Sequence, residues 1–443
     1  MDTMTPKKEN RSIVMKMPVA EAFIPLSAAF VNQAAQGLGL DEDGADALSL
    51  ATEEIIAYLA RMAQSEQDVD IRCSAGSCFI ETKISLPVRQ LQLHAFNMTA
   101  TVNAEDDAGL DQMGLLIASR MTDRFHITRS AGQHLVLTLV KELPYPEIKR
   151  DTQSPTPGKL SQYTLQAADA AHVKWFLRLV TQCYPDALFP LDFRYPGKVV
   201  DMAAGGDYQI VTAKGPAGEL GGGIAWRWEG RKTVELFGPY IFQEHGDPQM
   251  ARDLMDRCIG HVARTSALAL INRMPTPDLP EGYLEALEPK QNDISGDVSS
   301  PARARFRMMV EETGEVVWAH PVVVGFLQSE YRRLVFPRDI QTAGSDGEAD
   351  EPFSVLSAEI DRRLAVATLR PIWPGEDKAK NMAAHVELLR REAMATILFE
   401  MDLGQPWQAG FTPGLIALGF FPRMILPHAG SADLLIFQLR TDA

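Results

Sequence analysis

Apolar positions near the start of the chain recur with the spacing of helices. From Glu21 to Leu38, and again from Asp46 to Met62, hydrophobic side chains fall near i, i+3, i+4 and i+7. Ala47, Leu48, Leu50, Ala51, Ile55, Leu59 and Met62 carry the second stripe. The spacing predicts two amphipathic helices. The runs then shorten. CFIETKISL and LHAFNMTATV, from Cys78 and Leu93, read as strands. DDAGLDQMGLLIASRMTDRFHI, from Asp106, reads as a glycine-containing turn opening an apolar helix, and GQHLVLTLVKEL, from Gly132, as an alternating strand.

Two polar, proline-rich stretches interrupt this patterning: Leu143 to Leu160 and Glu288 to Ala302. Neither carries a helical or strand period, so both read as linkers. They leave segments 1–145, 160–288 and 303–443, each of domain size. In the middle segment a helix ending near Pro185 precedes strands YQIVTAK, LGGGIAWRWEG and TVELFGPYIF. A helix from Pro248 to Thr265, a strand ALALINRM and a short helix PEGYLEALE follow. In the last segment RARFRMMVE, RRLAVATLRPIW, ATILFEMDL and ADLLIFQLR read as strands, with helices over Glu376–Arg391 and Gly414–Leu418. AGSDGEADEP, from Ala343, reads as a surface loop. The predicted class is α/β (α+β): an α/β sandwich in the first segment, then a mixed sheet in each of the two later ones.

Composition narrows the function classes. Of 443 residues, 46% are hydrophobic and 23% charged, the balance of globular protein. The net charge of -15 repels phosphate backbones and anionic lipid, which argues against nucleic acid and membrane as general partners. No apolar run is long enough to span a bilayer and no signal core follows MDTMTPKKEN, so the expected location is cytoplasmic. Cys73 and Cys78 are close in sequence, but no His or Cys set completes a metal site, so no metal is expected. Neither H-E-x-x-H nor G-x-S-x-G occurs.

ALSLATEEIIAYLARMA, and MGLLIASRMTDRF followed by GQHLVLTLVKEL, resemble the GHKL-type ATP-binding fold of anti-sigma serine kinases and histidine kinases over about residues 10–142. The resemblance implies ATP–magnesium as cofactor, Glu54 as the water-orienting carboxylate, and Gly109 and Gly114 as phosphate-loop glycines. Tyr58 stands where that family has a magnesium-binding Asn, and a phenol is a poor ligand for a hard cation. The adenine-binding Asp has no match in ISLPVRQLQ, and Asp106, Asp107 and Asp111 crowd the phosphate position with negative charge. On the residues alone, Glu53 and Glu54 read equally well as solvated carboxylates.

The two later segments each resemble a GNAT acetyltransferase. TVELFGPYIF before a long helix and GYLEALE carry the likeness in the first, and GLIALGFFPRMILP with Leu418-Gly419-Phe420 in the second. The resemblance implies acetyl-coenzyme A as cofactor, Tyr283 as general acid, Gly246 in the first pyrophosphate loop, and Lys378 and Lys380 beside the second. Both loops depart from R/Q-x-x-G-x-G: QEHGDPQM and WPGEDKAKN hold one glycine each, among carboxylates. Such a loop offers few backbone N–H donors to a pyrophosphate. Asp402, Trp407 and Asp433 are candidates for lining a cleft, or ordinary strand-end residues.

The reading that follows is a bacterial regulatory or ligand-sensing protein with degenerate catalytic motifs. A protein partner is assigned to its first segment and a small-molecule ligand to its later ones. An active acetyltransferase with a divergent cofactor site is the alternative, and an ATP-dependent serine kinase the further one. Any coenzyme A binding is expected to be weak and to fall in the second acetyltransferase-like segment.

Overall fold

The structure is a computed structural model that describes residues 11–62, 67–86, 93–100, 107–129, 135–149, 160–243, 246–288, 304–311, 314–343 and 351–440. It divides into two compact units. Unit 1 comprises Met1–Pro144 with Ala349–Ser357 and Pro371–His385; unit 2 comprises Tyr145–Glu348, Ala358–Arg370 and Val386–Ala443. Most of both linker stretches, the bulk of the 343–352 loop, and Asp106 and Glu244 lie outside the described residues.

Unit 1 begins with strand β1 (Ser12–Pro18), helices α1 (Ile24–Leu38) and α2 (Glu42–Met62), and strands β2 (Asp68–Ala75) and β3 (Phe79–Leu86). Helix α3 (Asp107–Met121) and strands β4 (Arg124–Arg129) and β5 (Leu135–Glu142) follow. The strands form an antiparallel sheet in the order β1-β2-β3-β5-β4. Helix α1 stops at Gly39, whose left-handed φ of 117° is open to a residue without Cβ. The apolar stripe of α2, with Leu48, Ala51, Ile55 and Leu59, shares one core with Ile71, Ile84 and Leu137 of the sheet. Burying each such Leu or Ile contributes about 1.5–3 kcal/mol. Val355 and Trp373 belong to the same core.

A buried polar knot ties those later residues into unit 1. Asn97 Nδ2 donates to Ser354 O at 2.8 Å, and its Oδ1 accepts from Leu356 N at 2.9 Å. Asn381 Nδ2 donates to Ser354 O at 2.9 Å and to Asn97 Oδ1 at 3.1 Å. A buried amide needs such partners, because leaving one unsatisfied costs about 1–3 kcal/mol. This knot explains a departure from the expected strand at LHAFNMTATV. Leu93–Phe96 form a single 3₁₀ turn that buries Leu93, Ala95 and Phe96 and delivers Asn97 to Ser354.

In unit 2, β6 (Thr164–Ala167), α4 (Ala170–Cys183) and α5 (Pro196–Gly205) precede β7 (Tyr208–Lys214), β8 (Leu220–Trp228) and β9 (Thr233–Ile241). Then come α6 (Pro248–Val262), β10 (Ala269–Asn272), β11 (Glu285–Ala286) and β12 (Arg305–Met308). The sheet runs β11-β12-β10-β9-β8-β7-β6, and β9 and β10 are parallel. Strand β9 is buried along its whole length and serves two cores. Val234 and Leu236 face Leu254 and Met255 of α6, while Phe237 and Tyr240 join Phe176 of α4 and Phe193.

Strand β13 (Glu315–Ala319), helix α7 (Pro321–Leu334) and β14 (Arg338–Thr342) make a parallel two-stranded pair. The remaining elements are β15 (Val355–Asp361), β16 (Val366–Trp373), α8 (Lys378–Arg391), β17 (Thr396–Asp402), α9 (Thr412–Ala417), β18 (Phe420–Leu426) and β19 (Leu434–Leu439). Their sheet runs β15-β16-β17-β19-β18, with β16 and β17 parallel. The units β9–α6–β10 and β16–α8–β17 are therefore both strand–helix–parallel strand crossovers. The chain is a mixed α/β protein with several sheets, and no helix among the described residues is long and apolar enough to cross a membrane.

Candidate functional site

On α2 the helical repeat brings Glu54 to face Gly114 of α3. A Cβ on Gly114 would lie 2.5 Å from Glu54 Oε2. Tyr58, one turn beyond Glu54, is 1% exposed and belongs to the core of unit 1. The Tyr58 phenol is thus a packing residue. The expected glycine loop is corrected by α3, which starts at Asp107. Gly109 sits in its first turn, where backbone N–H groups are free. Gly114 sits well inside, where its N–H belongs to the helical ladder and not to a phosphate. Gly114→Ala is expected to change stability by less than about 1 kcal/mol, because the Glu54 carboxylate can swing aside and Ala favours helix. A fall in urea-unfolding free energy much beyond that would mean the Glu54 side chain is held rigidly.

In unit 2 the loop after β9 leads into the N-terminus of α6. Gly246 adopts φ 66°, and a Cβ there would lie 3.9 Å from Asp278 Oδ1. The helix is capped from within: Asp247 Oδ1 accepts from Gln249 N at 3.1 Å and Met250 N at 3.0 Å. Pro248 occupies the first turn and has no N–H to give. The groups that could hold an anion are therefore engaged by a carboxylate of the chain itself.

The nearby edge of β9 is closed in the same way. The last paired residues of β9 and β10 are Glu235 and Ile271. Beyond them Asn272 Nδ2 donates to Gly238 O at 3.1 Å, and Thr276 Oγ1 donates to Pro239 O at 2.6 Å. Tyr184 Oη accepts from Ile241 N at 2.6 Å and bonds to the Asp278 carboxylate. Burial pushes the Asp278 carboxyl up, with its Tyr184 hydrogen bond opposing the shift.

Tyr283 does not sit on a helix. Gly282 has a left-handed φ of 81°, and Glu285–Ala286 instead pair with β12. The Tyr283 hydroxyl donates to Asp256 Oδ1 at 2.9 Å; burial, then that hydrogen bond, raise its pKa. A phenol already committed to a carboxylate is an anchor for α6.

At the start of α8, Gly375 abuts the backbone of 353–354: a Cβ would fall 2.1 Å from Phe353 C and Ser354 N. Glu376 N donates to Glu351 O at 2.8 Å, and Ser354 N donates to Asp377 Oδ1 at 2.6 Å. The close approach that the single glycine permits is taken by the chain's own strand segment. Lys378 is partly buried and Lys380 exposed.

Two charge clusters of unit 2 were not singled out from the sequence. In the first, Arg273 is central. It pairs bidentately with Glu235, Nε to Oε1 at 2.6 Å and Nη2 to Oε2 at 2.8 Å, and Nη2 lies 2.8 Å from Glu229 Oε1. Its Nη1 lies 3.8 Å from Glu400 Oε1. Arg227 reaches Asp192 at 3.1 Å and lies over the Tyr208 and Phe237 rings. Arg370 joins Glu400 to Glu359. Burial raises the Glu229 carboxyl to about 7, against the pull of Arg273. Burial opposes ionisation of Glu235 too, but Arg273 wins and holds it below the ordinary value.

The second cluster gathers Glu315, His428 and Asp433, whose donor atoms lie within 4.8 Å of one another. That donor set suits a divalent cation. The space is already served by Arg338, whose Nε and Nη2 lie 2.7 and 3.0 Å from the two Asp433 oxygens. His428 N also donates to Asp433, and His428 Nδ1 lies 2.8 Å from Glu315. A cation entering here would meet a buried guanidinium, so the cluster reads as an internal ion pair. Asp402 accepts from Ser431 N and Gly404 N and acts as a loop staple; Trp407 packs edge-on against Phe411. Those two and Asp433 thus have structural partners.

No family model matches the chain, and no curated protein matches it. Among solved structures, it is similar over 34% of its length to an acetyltransferase of the GNAT family from Staphylococcus aureus Mu50, which is covered completely at 11% identity and a TM-score of 0.25. It is similar over 33% of its length to a putative acetyltransferase from Acinetobacter baylyi ADP1, 90% of which is covered at 15% identity and a TM-score of 0.25.

Proposed function

We propose that this protein works by binding, as a regulatory or ligand-sensing protein, and not by acetyl or phosphoryl transfer. In this reading residues 1–145 are an anti-sigma-kinase-like module for a protein partner. Residues 160–288 and 303–443 are two acetyltransferase-like halves, kept for a small-molecule ligand after loss of cofactor chemistry. The repeated strand–helix–parallel strand crossover supports the paired halves. The element order of the five-stranded sheet and its helices supports the first module.

The observation that carries the reading is the capped N-terminus of α6. Coenzyme A pyrophosphate would need the amides that Asp247 occupies, and would meet that carboxylate's charge. Titration calorimetry of the full chain is expected to give no micromolar binding of acetyl-coenzyme A or ATP–magnesium. Asp247→Ala removes the cap and is expected to cost about 1 kcal/mol. That variant should bind inorganic pyrophosphate more tightly than the parent. Micromolar acetyl-coenzyme A binding by the parent chain, with acetyl transfer to an amine panel, would establish the transferase reading instead.

A further inference from the structure

We propose that Glu229 and Arg273 form a proton-linked joint within unit 2, which holds the β8–β9 hairpin to strand β17 when Glu229 carries a proton and loosens when it does not. The proposal goes beyond the binding role above and does not depend on it.

The geometry is that of one guanidinium among three carboxylates. Arg273, just after β10, takes Glu235 from β9, Glu229 from the β8–β9 hairpin and Glu400 from β17. All four groups belong to unit 2. One cation cannot neutralise three anions, and among the described residues the neighbouring cations are themselves shared with further carboxylates. Arg227 of β8 lies 3.4 Å from Glu235 and 3.7 Å from Glu229, but is shared with Asp192 at 3.1 Å. Asp192 has Lys198 of α5 at 3.0 Å. Arg370 of β16 is shared between Glu400 and the exposed Glu359 of β15. The Tyr208 hydroxyl of β7 is spent on Arg227 and Asp192.

Burial pushes the Glu229 carboxyl up, while Arg273 holds its neighbour Glu235 down against the same effect of burial. Glu229 Oε1 and Glu235 Oε2 both accept from the same Arg273 Nη2, each at 2.8 Å, so the two carboxyls crowd one donor. The Glu229 pKa of about 7, set by burial, places loss of its proton within the neutral range. The sign follows from linkage. A carboxyl whose folded pKa is raised favours the closed form at low pH, and that contribution is lost as pH rises through the folded value. Deprotonation leaves Glu229, Glu235 and Glu400 all charged around Arg273, and mutual repulsion opposes the contact with β17.

Amide hydrogen exchange on the full chain tests this, after correction for the intrinsic pH dependence of exchange. Peptides covering 226–236 and 396–402 are expected to lose about tenfold in protection between pH 6 and pH 8, the factor for returning such a carboxyl to water. Glu229→Gln keeps an oxygen that can accept from Arg273 and cannot ionise, so the pH step should vanish there. The same step in Glu229→Gln, or its appearance only in other peptides, would overturn the proposal. Carboxyl NMR of the parent chain gives an answer even if that variant does not fold. A Glu229 midpoint near the ordinary 4.5 would refute the joint, and one near 7 would support it.

Discussion

Gly375→Ala is expected to destabilise unit 1 by about 3 kcal/mol, the upper end of what overpacking costs. The added methyl would sit 2.1 Å from Phe353 C and from Ser354 N. Both are backbone atoms, so no rotamer change relieves the clash. The neighbouring bonds, Ser354 N to Asp377 and Glu376 N to Glu351, must lengthen with it. Gly37→Ala, in helix α1 of the same unit, is the control. Nothing lies within 4 Å of its Cβ, and helix propensity predicts a gain of about 0.5–1 kcal/mol. Urea titrations of the two variants should move in opposite directions. Equal midpoints would mean that the 351–354 segment does not pack on Gly375.

Arg338→Met is expected to cost unit 2 about 3–5 kcal/mol, because it strands a buried carboxylate. Both side chains are fully enclosed at 0% exposure, and Arg338 meets both oxygens of Asp433. With the guanidinium gone, Asp433 keeps the backbone donor His428 N. The double variant Arg338→Met, Asp433→Leu should recover much of the loss, since apolar replacement of a whole buried pair is often close to neutral. A thermal-unfolding cycle measures both. If Arg338→Met alone unfolds like the parent, the pair does not hold β14 to the turn before β19.

The amphipathic helices α2, α4, α6 and α8 were legible from their apolar stripes, as were the apolar runs of β9, β17 and β19. Strand β1 was missed because it is an edge strand: Ile13 and Val14 face solvent, so no alternation marks it. Helix α7 was missed because PVVVGFLQ opens with β-branched residues of weak helix propensity. There Pro321 in the first turn and the His320 cap decide the outcome. LHAF reads as strand or turn with equal ease, and its partner Ser354 lies far along the chain. The charged joint was hidden for a related reason. Arg227, Glu235, Arg273 and Glu400 converge only through the sheet order. A signal was present: Glu235 in TVELFGPYIF and Glu400 in ATILFEMDL are single carboxylates inside otherwise apolar strands. A charge in that setting needs a buried partner.

The later residues in the core of unit 1 bear on how the chain is made. Val355 and Trp373 lie in one core with Ile55 and Leu137, and the polar knot at Asn97 closes only when Ser354 and Asn381 arrive. A ribosome reaches Pro144 long before His385, the last residue of that unit. At about 5–20 residues per second, the roughly 240 residues between them take on the order of 10–50 s to emerge. For that interval the nascent sheet and α2 are complete in sequence but lack two of their core side chains. Unit 1 is therefore a late-closing body despite its early start, and a break in the chain between residues 144 and 349 would leave its halves to find each other as separate molecules.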